Sequence, residues 1–471
     1  MSKKIVKFPK ALSVFTLAMI NVAAVSSVRN WSTIAEYGFA SLFFFAVAAI
    51  VFFIPVSMVS AELATGWPKT GGVFVWVKEA FGHRTGFLAV WLLWVENVIY
   101  YPALLSFIAG AIAYIFDPNL AESKFFILSI VIGMFWITTL INLLGMRASG
   151  WISTFGVIAG TFIPGGLIIF LGCLWYFTGN PIQISFTMDS LIPDTSSLNQ
   201  YVLFAGVLVA LFGLEMSAVH ARDVNNPQKS YPKAILLSAT LVLGLYVLGV
   251  LAIAVVVPQQ EISLVAGSLQ AVSVFVDSYG LRWMTPILAA LLTLGALGTL
   301  STWIVGPSKG LLGAAEGGDL PPYFRKVNKH GMPIALLITQ AVIVTLYSLV
   351  FVVMPTVSSA YWILTAMVAQ LYLIMYALMF AAAIRLRYTH PDVKRSYKIP
   401  GGLFGMWFVA GLGILGSVAT FFLGFFPPAQ IATGNKVYYV TFLILSTLLS
   451  CLAPSIILLF KKPDWTKPLP N

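Results

Sequence analysis

The chain has 471 residues, of which 59% are hydrophobic and only 9% charged, with 27 Lys and Arg against 16 Asp and Glu and a formal net charge of +11. Soluble domains run at roughly 45–50% apolar and about 25% charged, so a soluble enzyme, a coiled coil and a disordered chain are all excluded. A membrane-crossing helix takes roughly 20 mostly apolar residues, which leaves room for about ten to twelve such helices and little else.

In chain order, Met1 to Lys10 is a basic start followed by an apolar run. That run is too long for a signal-peptide core and lacks a small-residue cleavage site, so it is expected to remain as a first helix. Apolar runs broken by Pro, Gly and charge place twelve spans near 11–37, 39–64, 84–115, 123–146, 151–177, 199–221, 233–257, 283–313, 333–354, 360–388, 403–425 and 438–460. The longest loops, 65–83, 178–198, 258–282, 314–332 and 389–402, hold no soluble domain. The expectation is an all-α membrane protein of 12 transmembrane helices, one domain over 1–460 with a short cytoplasmic tail over 461–471.

Charge supplies the orientation. With the N-terminus inside, all 27 basic residues except Lys124, Arg282, Lys436 and the intraspan Arg29 fall on the inner side. This positive-inside bias predicts a multi-pass inner-membrane protein with both termini cytoplasmic. The basic charge is then topology, so nucleic acid is rejected as a partner and the lipid bilayer takes its place.

Two spans carry polar interruptions: Ser26-Ser27-Val28-Arg29-Asn30 in the first and Gly213-Leu214-Glu215-Met216-Ser217 in the sixth. Unpaired backbone groups are very costly in hydrocarbon, so a break survives only where it is buried or lines a cavity. Interruptions five spans apart suit an inverted five-plus-five repeat with a substrate at the midplane.

Charged side chains inside spans usually face a bundle interior or a water-filled path. Those here are Arg29, Glu36, Glu62, Glu96 (beside Asn97) and Glu215. Glu36 and Glu62 lie near span ends, where snorkelling or a loop hydrogen bond accounts for them. Arg29 needs an acid, either Glu96 or Glu36 within the chain or a carboxylate on the substrate. Glu215 is either a gating or proton-linked carboxylate or an acceptor for backbone N–H groups freed in the first span. Trp91, Trp94, Tyr100, Tyr101, Trp303, Tyr372 and Tyr376 either wall a midplane cavity or simply pack. Ser301 and Thr302 offer hydroxyls suited to sodium, and span five has no Lys or Arg to replace that ion.

Other chemistries lack their residues. His83, His220, His330 and His390 fall at or near inner ends without metal-ligand spacing, and no Ser–His–Asp set shares one depth. Cys173 and Cys451 sit in apolar runs, and no phosphate-binding glycine loop occurs. Neither a metal, a cofactor nor an enzymatic step is expected.

Several stretches carry a resemblance. They are Phe53 to Val56 with Ala61-Glu62 and Gly71 to Gly82, then Gly213 to Glu215 with Asn226-Pro227 and Tyr231-Pro232. Val257 to Gly267, Ser301 to Gly310, Asn328 to Pro333 and His390 to Gly402 follow in order. On these the chain resembles the amino acid–polyamine–organocation superfamily, most closely its glutamate:γ-aminobutyrate antiporter family. The resemblance implies a LeuT-like fold, with spans one to five (11–177) and six to ten (199–388) as inverted repeats and two further spans over 403–460. It also implies alternating-access transport, with broken helices one and six cradling an amino acid or amine.

Carried onto this chain, the resemblance implies substrate contacts from Ala24 through Ser26 and Ser27 to Arg29, and from Val209 through Gly213 to Glu215. Tyr372 and Tyr376 match tenth-span tyrosine positions. The chain departs from the pattern at Arg29, where the family's exchanger has tyrosine, and at Thr299, where it has glutamate. The residues after Lys461 are also too few for the C-terminal plug of that exchanger. The expected function is amino acid antiport. The alternatives are a proton- or sodium-coupled amino acid or polyamine symporter and a transporter-like nutrient sensor. Arg29 favours a zwitterionic or acidic substrate, Glu96 and Glu215 a cationic one, and an internally paired Arg29 a neutral amino acid.

Overall fold

A computed structural model describes residues 13–68, 72–144, 158–193, 201–215, 227–428 and 431–466. The expected inner-face residues before Ser13, with Lys69, Arg147, Arg222 and Lys467, lie outside the described residues, as do 145–146 of the expected fourth span, 151–157 of the fifth, and 199–200 and 216–221 of the sixth.

The helices in chain order are α1 (Val14–Val25), α2 (Arg29–Ala35), α3 (Gly38–Gly66), α4 (Val73–Phe81), α5 (His83–Phe116), α6 (Lys124–Leu143), α7 (Ala159–Phe177) and α8 (Phe204–Ala210). They continue with α9 (Pro232–Val256), α10 (Gly267–Ser278), α11 (Met284–Glu316), α12 (Ile334–Val353), α13 (Val357–Thr389), α14 (Gly402–Leu423) and α15 (Lys436–Leu459). Among the described residues ten of these are long and apolar enough to cross a membrane. The first and sixth expected spans are not among the ten, because each is broken into shorter pieces around α1–α2 and α8. Two expected loops, 65–83 and 258–282, contain the helices α4 and α10.

Local chemistry explains where helices start and bend. At one end of the bundle Ser123, Thr356 and Asn435 accept hydrogen bonds from Phe126, Ser359 and Val437 main-chain N–H groups, capping α6, α13 and α15. Proline lacks a donor and its ring crowds the preceding turn. The π-turns Ala49–Phe53 and Ile158–Phe162 accordingly fall just before Pro55 and Pro164, widening the helix where a normal turn would clash. Gly160 in the second π-turn meets Gly295 of α11 backbone to backbone, and a Cβ on Gly160 would sit 2.1 Å from the Gly295 nitrogen.

α5 and α13 form the centre, each with 78% of its most apolar window buried, whereas α15 has only 22% and faces outward. α11 packs along α5, where the Tyr101 hydroxyl donates to the Trp303 carbonyl at 2.8 Å.

The basic end is tied by buried ions. Glu62 at the end of α3 accepts from Arg387 Nε at 2.5 Å, Arg387 Nη2 at 2.6 Å and the Ile399 main-chain N–H at 2.8 Å. Arg395 Nε lies 3.5 Å from the same carboxylate, and its guanidinium stacks 4.9 Å over Trp67. Burial lowers the Arg395 guanidinium from its ordinary value, with Glu62 opposing and the like charge of Arg387 adding to the fall. Glu62 is thus a loop anchor. Nearby, buried Asp319 accepts from His83 at 2.8 Å and Lys461 at 3.1 Å, joining the start of α5 to the segments after α11 and α15.

Removing one member of a buried ion cluster strands the others, typically at about 3–5 kcal/mol. Glu62→Gln is expected to lose about that much stability, read by thermal denaturation of the detergent-solubilised protein, whereas Asp277→Asn, in an exposed pair with Arg282, should leave the melting temperature unchanged.

Candidate functional site

The breaks in the first and sixth segments meet at one internal cavity. α1 ends at Val25, Ser26 and Ser27 are non-helical, and α2 begins at Arg29. α8 ends at Ala210 and gives way to a turn through Gly213, whose φ of +109° favours glycine. The cavity is lined by Val25, Ser27 and Asn30 from the first break and by Val209 and Phe212 from the second. Glu96, Asn97 and Tyr100 of α5, Thr299 and Trp303 of α11, and Val368 and Tyr372 of α13 close the walls. Its volume is about 50 Å³, far below the roughly 300 Å³ at which ordinary ligand pockets begin.

Of the sequence-predicted residues, Ser27, Glu96, Val209, Thr299 and Tyr372 line this cavity. Gly213 stands beside it, close to Val25 and Trp303. Ser26 is buried with its hydroxyl unpartnered among the described residues. The side chains of Ala24 and Thr302 lie outside the described residues. Ser301 is turned away: its hydroxyl donates to Asn142 of α6 at 3.3 Å. Trp91 and Trp94 line a separate apolar cavity between α5, α11, α12 and α15.

Glu215 is held by α13. Its two carboxylate oxygens accept from the Tyr372 hydroxyl at 2.9 Å and the Tyr376 hydroxyl at 2.6 Å. The Tyr376 oxygen in turn accepts from the Gly213 main-chain N–H at 3.0 Å. Of the two readings open for Glu215, neither foresaw these partners: two phenols on α13 hold the carboxylate, because four-residue spacing puts both on one helix face. Phe212 stacks on Tyr372 with ring centroids 4.7 Å apart, completing the junction.

Arg29 departs from its expected pairing. It is 1% exposed, yet none of its three guanidinium nitrogens has a hydrogen-bond partner among the described residues. Glu96 accepts instead from the Asn97 amide at 2.5 Å. The Arg29 guanidinium lies over the rings of Tyr100 at 4.7 Å and Tyr361 at 5.4 Å. Ring faces attract a cation but supply no acceptor lone pairs. A buried charge is thus left one tyrosine ring from the cavity, with no carboxylate partner among the described residues.

Sequence reasoning missed Tyr246 of α9. Its hydroxyl donates to the Val25 carbonyl at 3.0 Å and accepts from the Ser27 N–H at 3.2 Å and the Asn30 amide at 3.1 Å. Ser268 of α10 likewise donates to the Val28 carbonyl at 3.0 Å. A lone tyrosine in an apolar run carries no periodic or compositional signal.

Hydrogen bonds to a charged acceptor contribute about 1.5–3 kcal/mol. Tyr376→Phe is expected to lower stability by about that amount, since it strands both Glu215 and the Gly213 N–H. Tyr372→Phe keeps the Phe212 stack and strands no backbone group, so its melting temperature should fall less in the same detergent.

A family model described as amino acid permease matches residues 12–448. An uncharacterised transporter of Legionella pneumophila is 46% identical over 435 residues, covering 92% of this chain and 94% of that one. A glutamate/gamma-aminobutyrate antiporter of Lactococcus lactis is 31% identical over 457 residues, covering 95% and 90%. A probable agmatine/putrescine antiporter of the same organism is 23% identical, covering 83% and 82%. These relatives are transporters by name, which points away from an enzyme. With two interrupted segments closing on one cavity and a match spanning most of its length, the chain belongs to the amino acid permease family of the amino acid–polyamine–organocation superfamily.

Proposed function

We propose that the chain is an amino acid antiporter working by alternating access, with the substrate held at the junction of the two broken helices. The observation that carries this is the meeting of residues 25–30 and 209–213 on one cavity, walled by Glu96, Tyr100, Thr299, Trp303 and Tyr372. The glutamate/gamma-aminobutyrate antiporter relative supports exchange of amino acids in particular. Ten long helices plus the two interrupted segments support twelve spans with a LeuT-like five-plus-five repeat. The distribution of basic residues supports an inner-membrane location with both termini cytoplasmic.

The substrate carries a carboxylate, which Arg29 neutralises when the cavity widens and Tyr100 shifts. The buried guanidinium, without a hydrogen-bond acceptor among the described residues, supports this over a polyamine substrate. Glu96, which lines the cavity, takes the amine side, with Glu215 behind Tyr372. Neither has a basic partner among the described residues, which supports proton rather than sodium coupling, as does the commitment of Ser301 to Asn142.

The test is exchange in reconstituted vesicles loaded with glutamate, gamma-aminobutyrate, a neutral amino acid or putrescine. Labelled amino acid uptake that depends on a loaded carboxylate-bearing substrate is expected. Arg29→Ala should weaken such substrates by roughly 30-fold or more, as loss of a buried charge-pair partner costs about 2–5 kcal/mol, and leave putrescine unaffected. No uptake of any amino acid at pH 5.5 or 7.5 sinks the transport reading, and an unchanged substrate ranking in the variant sinks the role of Arg29.

A further inference from the structure

All three cavity-lining residues of the first break, Val25, Ser27 and Asn30, hydrogen-bond to one atom, the hydroxyl oxygen of Tyr246. Tyr246 itself is fully buried and does not line the cavity. A phenol has one donor and two acceptor sites. Here the donor goes to the Val25 carbonyl and the acceptors to Ser27 N–H and the Asn30 amide. The hydroxyl is saturated, so it has no capacity to contact a substrate.

The geometry points to Tyr246 as a positioning residue: from behind the wall, its hydroxyl sets where the first break presents its polar atoms to the substrate. The inference rests on the transport reading above. Val25 closes α1, whereas Asn30 lies in α2, so the one oxygen bridges both halves of the interrupted helix. It replaces the helical bonds that the break removes. Without it, a buried carbonyl, a main-chain N–H and a side-chain amide would each seek new partners, and the wall would relax toward the cavity. Such relaxation acts on substrate affinity because Ser27 and Asn30 are the wall.

Ser268 provides the comparison that separates position from stability. Its hydroxyl donates to the Val28 carbonyl in the same break, but Val28 does not line the cavity. A merely structural role for Tyr246 would make the two sites behave alike.

The experiment compares exchange kinetics of wild type, Tyr246→Phe and Ser268→Ala in vesicles, using labelled glutamate or whichever amino acid wild type exchanges. Melting temperatures are measured in parallel. Tyr246→Phe should raise KM by roughly three- to tenfold or more, the worth of one net hydrogen bond upward, with the maximal rate within about twofold. Ser268→Ala should melt earlier with KM within about twofold of wild type. Should Tyr246→Phe fail to fold, 4-aminophenylalanine placed at 246 keeps the donation to Val25 and weakens both acceptances, and should give a KM above wild type. Wild-type KM in every Tyr246 variant that folds, or an equal rise in Ser268→Ala, overturns the assignment. Absence of exchange in wild type itself overturns the transport reading and this role with it, whereas normal wild-type exchange with an unmoved variant KM overturns this role alone.

Discussion

A helix interrupted within hydrocarbon must find partners for the main-chain groups it releases, and here tyrosine hydroxyls on neighbouring helices supply them. Tyr246 serves the first break and Tyr376 the second, where its oxygen takes the Gly213 N–H while its proton goes to Glu215. The requirement is strict because unsatisfied polar groups have no water to turn to at that depth. It fixes which helices flank the breaks: α9 must lie against the first and α13 against the second. The cavity lies where both sets of bonds come together.

Buried charge follows the same logic with three different outcomes. Glu62 is surrounded by two guanidinium groups and a main-chain N–H, so it is spent on holding a loop. Asp319 is shared between His83 and Lys461, which binds the ends of three segments at the basic end. Arg29 alone of these meets ring faces without an acceptor among the described residues. The two carboxylates with basic partners tie segments together, whereas the guanidinium has no carboxylate partner among the described residues.

Much of this was legible in the residue order, and for stated reasons. The span expected at 84–115 is the helix His83–Phe116, and that at 360–388 is Val357–Thr389, because long apolar runs with few breakers allow little else. The two breaks were legible because polar clusters in such runs are rare. Glu215 and its tyrosines were marked by chemistry, but their mutual bonds were not, since contact between residues more than 150 positions apart leaves no local trace. The pairing of Arg29 failed for that reason too. Glu96 and Glu36 were available as acids, yet α5 offers Tyr100 to the guanidinium and turns Glu96 toward Asn97 and the cavity. Tyr246 was invisible because its importance lies wholly in what it touches.

Where Gly160 and Gly295 meet, main-chain atoms of α7 and α11 are already in contact, with no side chain between them to compress or change rotamer. The two helices therefore cannot draw closer at that depth, and sliding past one another would drive larger residues into the same gap. Tilt about the crossing remains open to them. The glycine pair is the point at which these two helices stand at their limit of approach.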